Sequence, residues 1–446
     1  MIYQRTRGRI GGRVMSGLNG QHSGRAGMLS GVAAAIAGMT LNWASSPGNL
    51  IPPGFSLTRT GGGATYYDST GTLQTAAADT ARGTYIYNGS AWVFDGTMIE
   101  AAATNTCLQS EDLTTTWTVG AGVSVTANAY TAPTGAATMD RINASAGNTQ
   151  HYLQIPAGVV ISAGTAAFSF YFKYDNLQYV GLGMNDGTTS VISMFDVLNG
   201  TAGTPAYFAG SGTASTRITS IGGGVFRAEL TSTMTGSAAS TLYVIMGNSI
   251  TAGIPTWNAT GNEKVGAWGG QVETGNGATS YIATTTTAQG RNADVVTAPT
   301  SGLLVNGQGF AAIGGRIIAQ NGSGPWAMLA CAAGEGWPLY FANSTLPSRL
   351  ALYDGTSIIN FGASTQIPAA GTAFKAATTW SGIVASGALN GTVGSPSSAF
   401  DSSLGLGTTI RIGDVPAGGF RISMVLQSMR LGVQAVNNSR LANPFA

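Results

Sequence analysis

From residue 52 to the end of the chain, runs of about four to eight residues rich in Val, Ile, Thr, Tyr and Phe follow one another, each closed by Gly, Asn, Asp or Pro. No amphipathic helical stretch of convincing length interrupts them. The pattern predicts an all-β protein made of tandem β-sandwich, jelly-roll or lectin-like domains behind an extended N-terminal arm. Phe168, Phe170 and Phe172 alternate with Ser169, Tyr171 and Lys173, which puts three rings on one face of a strand. Asn185-Asp186-Gly187 and Asp354-Gly355 sit between apolar runs as hairpin turns do. Further strands are expected at 225–231, 241–246, 265–273, 409–413 and 421–431.

Composition narrows the function classes. Gly supplies 66 of 446 residues and charged residues only 9%, against about 25% in ordinary soluble domains. With 43% hydrophobic residues and a mean hydropathy of +0.16, the chain is too apolar to stay disordered. Its surface must be Thr, Ser, Asn and Gly, which suits an exported or particle-bound protein. Twenty basic residues against 18 acidic ones leave no overall basic stripe, so no nucleic-acid partner is expected.

The charge is uneven in one respect. The first 67 residues hold Arg5, Arg7, Arg9, Arg13, Arg25 and Arg59 and no acidic residue, and the other 14 basic residues face all 18 acidic ones. An apolar run at 28–41 follows the Arg cluster. A basic start before a short apolar run resembles a secretory signal. The basic region is, however, long and punctuated by seven glycines between Gly8 and Gly27, and the run is short of the ~20 residues of a membrane span. Residues 1–50 are therefore expected to be an attachment arm, with Arg5, Arg7, Arg9, Arg13 and Arg25 as its anchor. Pattern breaks near Thr106 and at 297–302 give the remaining divisions as a small β connector at 51–105, a sandwich at 106–296 and a second sandwich at 297–446.

Little points to catalysis. His22 and His151 are the only histidines, and His151 has no nucleophile motif near it. Six Glu and twelve Asp are scattered, and a glycosidase would need two of them about 5 to 9.5 Å apart. Cys107 and Cys331 are expected to be small core residues, with neither a disulfide nor a metal site. No cofactor is expected, and the Gly-rich runs precede no helix that could cradle a phosphate. Aromatic side chains carry the remaining signal, since sugar rings stack on Trp and Tyr. Trp257, Trp326 and Trp337, in Gly- and Pro-rich surroundings, are the glycan-binding candidates; Trp268 and Trp380 lie in strand patterns and should be buried.

The order of residues 55–59 (FSLTR), 64–68 (ATYYD), 71–73 (GTL), 78–82 (ADTAR), 98–100 (MIE) and 103–105 (ATN) resembles a segment at the front of many tailed-phage fibre and spike proteins. The likeness continues through 109–113 (QSEDL), Trp117, 132–135 (APTG), 168–173 (FSFYFK), 268–273 (WGGQVE), 280–282 (SYI) and 291–294 (RNAD). That series is similar to the phage head-spike fibre domain, a carbohydrate-binding-module-like β-sandwich, although Gly270 stands where the family more often has Ala. Residues 378–380, 388–391, 410–413 and 420–422 look more loosely like a concanavalin or laminin-G jelly roll, without its Asp/Asn calcium cluster near Asp354 or Asp401. The resemblance implies a structural, non-enzymatic virion-surface protein, a head or tail fibre or spike. Its arm would meet capsid, portal or tail proteins, its body would pack as a homo-oligomer, a trimer as in fibres and spikes, and its outer modules would bind host-surface polysaccharide. A secreted lectin or adhesin, a capsid decoration protein without glycan binding and a polysaccharide depolymerase are the competing readings.

Overall fold

The chain divides into Met1–Ile36 and Ala37–Ala446. A computed structural model describes residues 38–446 except 321–325, 331–336, 343–348, 355–357, 363–364, 402–405 and 414–421. Among the described residues every strand pair is antiparallel, and the one α-helix, Asn438–Ala442, is capped by the Asn437 side chain. Two sandwiches result, as the strand pattern predicts, but nested rather than in tandem.

The first sandwich closes a six-stranded sheet over an eight-stranded one. The six-stranded sheet runs Ala214–Ser220, Val225–Met234, Gly164–Tyr174, Lys264–Thr274, Met139–Ala144, Val123–Tyr130. Phe168, Phe170 and Phe172 point into the shared core and are fully buried; the alternate residue Tyr171 lies on the opposite face with Trp268 and Tyr281. The hairpin foreseen at 185–187 joins Tyr179–Asn185 to Ser190–Asp196. Asp186 holds it closed: Oδ1 accepts from the Thr188 and Thr189 amides, and Oδ2 from the Thr235 amide and hydroxyl and the Gly236 amide. One carboxylate thus ties this hairpin to the link between Val225–Met234 and Ser237–Gly247, where the chain crosses from the six-stranded to the eight-stranded sheet. Five hydrogen bonds to the charged form outweigh the upward push of burial and hold its pKa at about 2.

The second sandwich is assembled from both ends of the described chain. Its eight-stranded sheet runs Thr392–Val393, Val384–Leu389, Ala373–Ser381, Gln308–Gln320, Ile422–Gly432, Trp92–Ile99, Arg82–Tyr87, and Met39–Ala44 also pairs with Ile422–Gly432. Ser56–Thr58 opens the facing seven-stranded sheet. Trp43 and Leu41 are buried in this core, so the expected arm of residues 1–50 ends in a sandwich strand. The expected connector at 51–105 likewise distributes its strands: two sheets of the second sandwich take Ser56–Thr58, Arg82–Tyr87 and Trp92–Ile99, Ala64–Tyr67 and Leu73–Ala76 make a hairpin of their own, and Ala103–Asn105 pairs with Gln289–Arg291. A segment of this length has too little apolar surface to close a core alone and completes larger ones instead. The first sandwich is therefore an insertion within the second.

Candidate functional site

Arg59, Arg82 and Arg291 are buried together with Glu100, Asp294 and Glu273. Arg82 donates through Nη1 to Glu100 Oε2 at 2.7 Å and through Nη2 to Asp294 Oδ2, whose other oxygen accepts from Arg59 Nη1 at 2.7 Å. Arg291 Nη1 stands 3.5 Å from Glu100 Oε2, and its Nη2 donates to the Ala101 carbonyl at 2.7 Å. Ser280 donates amide and hydroxyl to Glu100. Burial alone would raise the Glu100 pKa, but the Arg291 and Arg82 charges and the Ser280 bonds overturn that and hold it at about 2. Glu273, bonded by Thr279 and Gln271 rather than directly by a cation, is pushed upward by burial. Three guanidinium groups and three carboxylates with no solvent access make a joint rather than a reaction centre. It ties the strands before the insertion to the segment that leaves it.

A cleft opens beside this joint, on the outer face of the six-stranded sheet. Cross-strand register lines up Thr219, Arg227 and Tyr171 in one row and Arg217, Glu229 and Ser169 in the next. Across from them stand Tyr66, Tyr67, Tyr85, Tyr87 and Trp92, all half-buried, and the space between is about 120 Å³. At roughly 10–15 Å³ for each water, that is room for one sugar ring or a little more.

The aromatic wall is built by close packing around the turn after Arg82–Tyr87. The Trp92 ring lies 5.0 Å from Tyr67 and 5.8 Å from Tyr87, and Tyr85 meets Phe94 edge-on at 5.4 Å. Gly71, at φ +84°, lies flat on the indole: a Cβ there would fall 2.1 Å from Trp92 Nε1. A β-bulge between Thr84 and Tyr85 shifts the register past Asp95, which accepts from Arg316 Nε at 3.0 Å and Gln427 Nε2 at 2.9 Å. Arg217 Nη2 donates to Glu229 Oε2 at 2.7 Å. Arg227 lies 5.3 Å over the Tyr171 ring and donates to the Thr279 carbonyl and the Ser169 hydroxyl. Tyr67 donates to the Tyr171 hydroxyl, and burial pushes its own pKa well up, so it stays a neutral phenol. Flat apolar faces bordered by hydroxyls and fixed charges are what a saccharide ring requires.

The aromatic residues singled out from sequence lie elsewhere. Trp257 is a core residue: Thr256–Ala259 pairs with Gly147–Ile161, and strand alternation turns the indole inward, 4.7 Å from the His151 ring, with Nε1 donating to the Met246 carbonyl. It offers no platform. Trp326 and Trp337 open two neighbouring strands, Trp326–Ala330 and Trp337–Ala342, rather than occupying loops, and their side chains lie outside the described ones. Arg5, Arg7, Arg9, Arg13, Arg25 and Cys331 lie outside the described residues. Trp268, Trp380 and Cys107 are buried as expected, and His151 packs in the core. The cleft aromatics were visible in principle, because Tyr85, Tyr87 and Trp92 bracket an Asn88-Gly89 turn. Among the described residues no three His, Cys, Asp or Glu side chains gather as metal ligands would, and no helix is long and apolar enough to cross a membrane.

No protein-family model and no curated protein matches the chain. Among solved structures, a heptameric SAP-like pentraxin from Limulus polyphemus is similar at 15% identity and a TM-score of 0.26, over 32% of this chain and 72% of the pentraxin. Domain 4 of the extracellular GH43 arabinanase AbnA from Geobacillus stearothermophilus, in complex with arabinotriose, is similar at 13% identity and 0.28, over 39% and 86%. The Trypanosoma rangeli sialidase gives 10% identity and 0.25, over 80% and 64%. Similarities this low carry nothing about activity.

Proposed function

We propose that this chain is a non-enzymatic, saccharide-binding structural protein on the surface of a tailed-phage or phage-like particle, held by its N-terminal segment and presenting its sandwiches to the host. The aromatic cleft carries the binding half of this reading. Its only carboxylate among the lining residues, Glu229, is engaged by Arg217, so the cleft has no pair of free carboxylates with which to hydrolyse a glycosidic bond. The particle half rests on the ordered resemblance to phage fibre and spike proteins. Arg59, Arg82, Glu100, Arg291 and Asp294, which belong to the resembling motifs, meet in one joint although Arg59 and Asp294 are 235 residues apart. That convergence supports a shared fold as the origin of the motif order.

Trp92→Ala and Tyr85→Ala are each expected to weaken binding to bacterial surface polysaccharide about tenfold or more, with the denaturation midpoint as a folding control. Unchanged binding in both folded variants would remove the cleft from the function. The anchor is tested by deletion of residues 1–37, which spares the Met39–Ala44 strand. The truncated chain is expected to fold and to be missing from purified particles; incorporation at normal copy number would overturn the anchor.

A further inference from the structure

Three guanidinium groups, those of Arg217, Arg227 and Arg316, line the cleft with the single carboxylate Glu229, in a chain with only 9% charged residues. Asp95, behind the wall, compensates Arg316. Arg227 is different: its direct acceptors are the neutral Thr279 carbonyl and Ser169 hydroxyl, and its Nε is buried without a partner. Arg217 engages Glu229 through Nη2 alone, is partly exposed, and leaves Nε and Nη1 free of protein partners. Arg217, Arg227 and Arg316 against Glu229 and Asp95 leave the cleft one positive charge in excess, partly offset by the buried Glu273 carboxylate, with the idle N–H donors of Arg217 next to its aromatic wall.

The rest of the lining sharpens the point. Neutral sugars are commonly held through vicinal hydroxyls by amide and carboxylate side chains, which both donate and accept or accept twice. The cleft is lined by no Asn, Gln or Asp side chain. Its charged donors match an acceptor that is itself anionic, and the planar guanidinium fork fits a planar carboxylate best. Resting on the reading of the cleft as a saccharide site, we infer that its ligand is an acidic sugar, a uronic or nonulosonic acid residue whose ring stacks on the Tyr and Trp faces while its carboxylate meets Arg217.

The test titrates the full chain with methyl β-D-glucuronoside, the methyl glycoside of N-acetylneuraminic acid, and neutral methyl β-D-glucoside, followed by ligand-observed NMR. At least one acidic glycoside is expected to bind about tenfold tighter than the glucoside and to lose that margin as salt rises. Arg217→Gln should bring the acid and neutral affinities within about twofold of each other without abolishing stacking-driven binding. Equal binding of acidic and neutral glycosides, lost in Trp92→Ala, would overturn the acidic-sugar inference and leave the saccharide cleft standing. Binding that survives both Trp92→Ala and Tyr85→Ala, or no binding of any glycoside, would overturn the cleft reading with it.

Discussion

Replacing Arg82 with Met is expected to lower the stability of the fold by about 3–5 kcal/mol, because it strips a direct cationic partner from Glu100 and from Asp294 in a place water does not reach. Arg291 remains at 3.5 Å from Glu100, and Arg59 at 2.7 Å from Asp294, so the joint weakens rather than dissolves. Urea denaturation followed by tryptophan fluorescence measures the loss. The paired variant Arg82→Met with Glu100→Gln should recover part of it, since the second change removes a carboxylate the first left exposed to repulsion and desolvation. A single-variant loss under about 1 kcal/mol would mean that the cluster is not the clasp of the inserted sandwich.

Acid is expected to act through the same joint. Glu100 titrates near 2 in the fold against about 4.5 for an ordinary Glu, so its stabilising contribution is complete above pH 4.5 and is lost as pH falls toward 2. Near 1.36 kcal/mol per unit, Glu100 alone accounts for about 3 kcal/mol over that window. Asp186, also near 2, adds loss of the same sign just below its ordinary 3.8. Glu273 works the other way: its pKa is raised by burial, so protonating it on the way down favours the folded state. The stability curve should therefore turn over in mild acid and then descend steeply. Denaturation midpoints from pH 7 to pH 2 would show this, and Glu100→Gln should flatten the descending limb. Parallel descent of the variant and the parent would assign the acid lability to other groups.

The features legible in the sequence were those encoded within about ten residues. Alternation fixes the inward face of Phe168, Phe170 and Phe172, and turn chemistry fixes the hairpin at Asp186. Pairings between distant segments were not legible: nothing local to Arg82 announces Asp294, 212 residues away, or says that Trp92–Ile99 will lie against Ile422–Gly432. Trp257 misled for a related reason. Its flanking Gly and Pro suggest an exposed loop, but the partner strand that turns it inward begins more than a hundred residues earlier. The cleft had the same obstacle, since its aromatic wall and its charged floor come from opposite sides of the insertion point.

That insertion has a cost in time during synthesis. Asn42 must wait for Arg430, 388 residues later, before its strand has a neighbour. At about 5–20 residues per second, the Met39–Ala44 strand spends roughly 20 to 80 s outside the ribosome as an unpaired edge. Edges of that kind invite pairing with other chains, and in most proteins charged side chains discourage it. Between Met39 and Ile99 the chain carries few charges. Crowded polysomes, where neighbouring nascent copies expose the same edges together, are thus where this molecule is most vulnerable to loss.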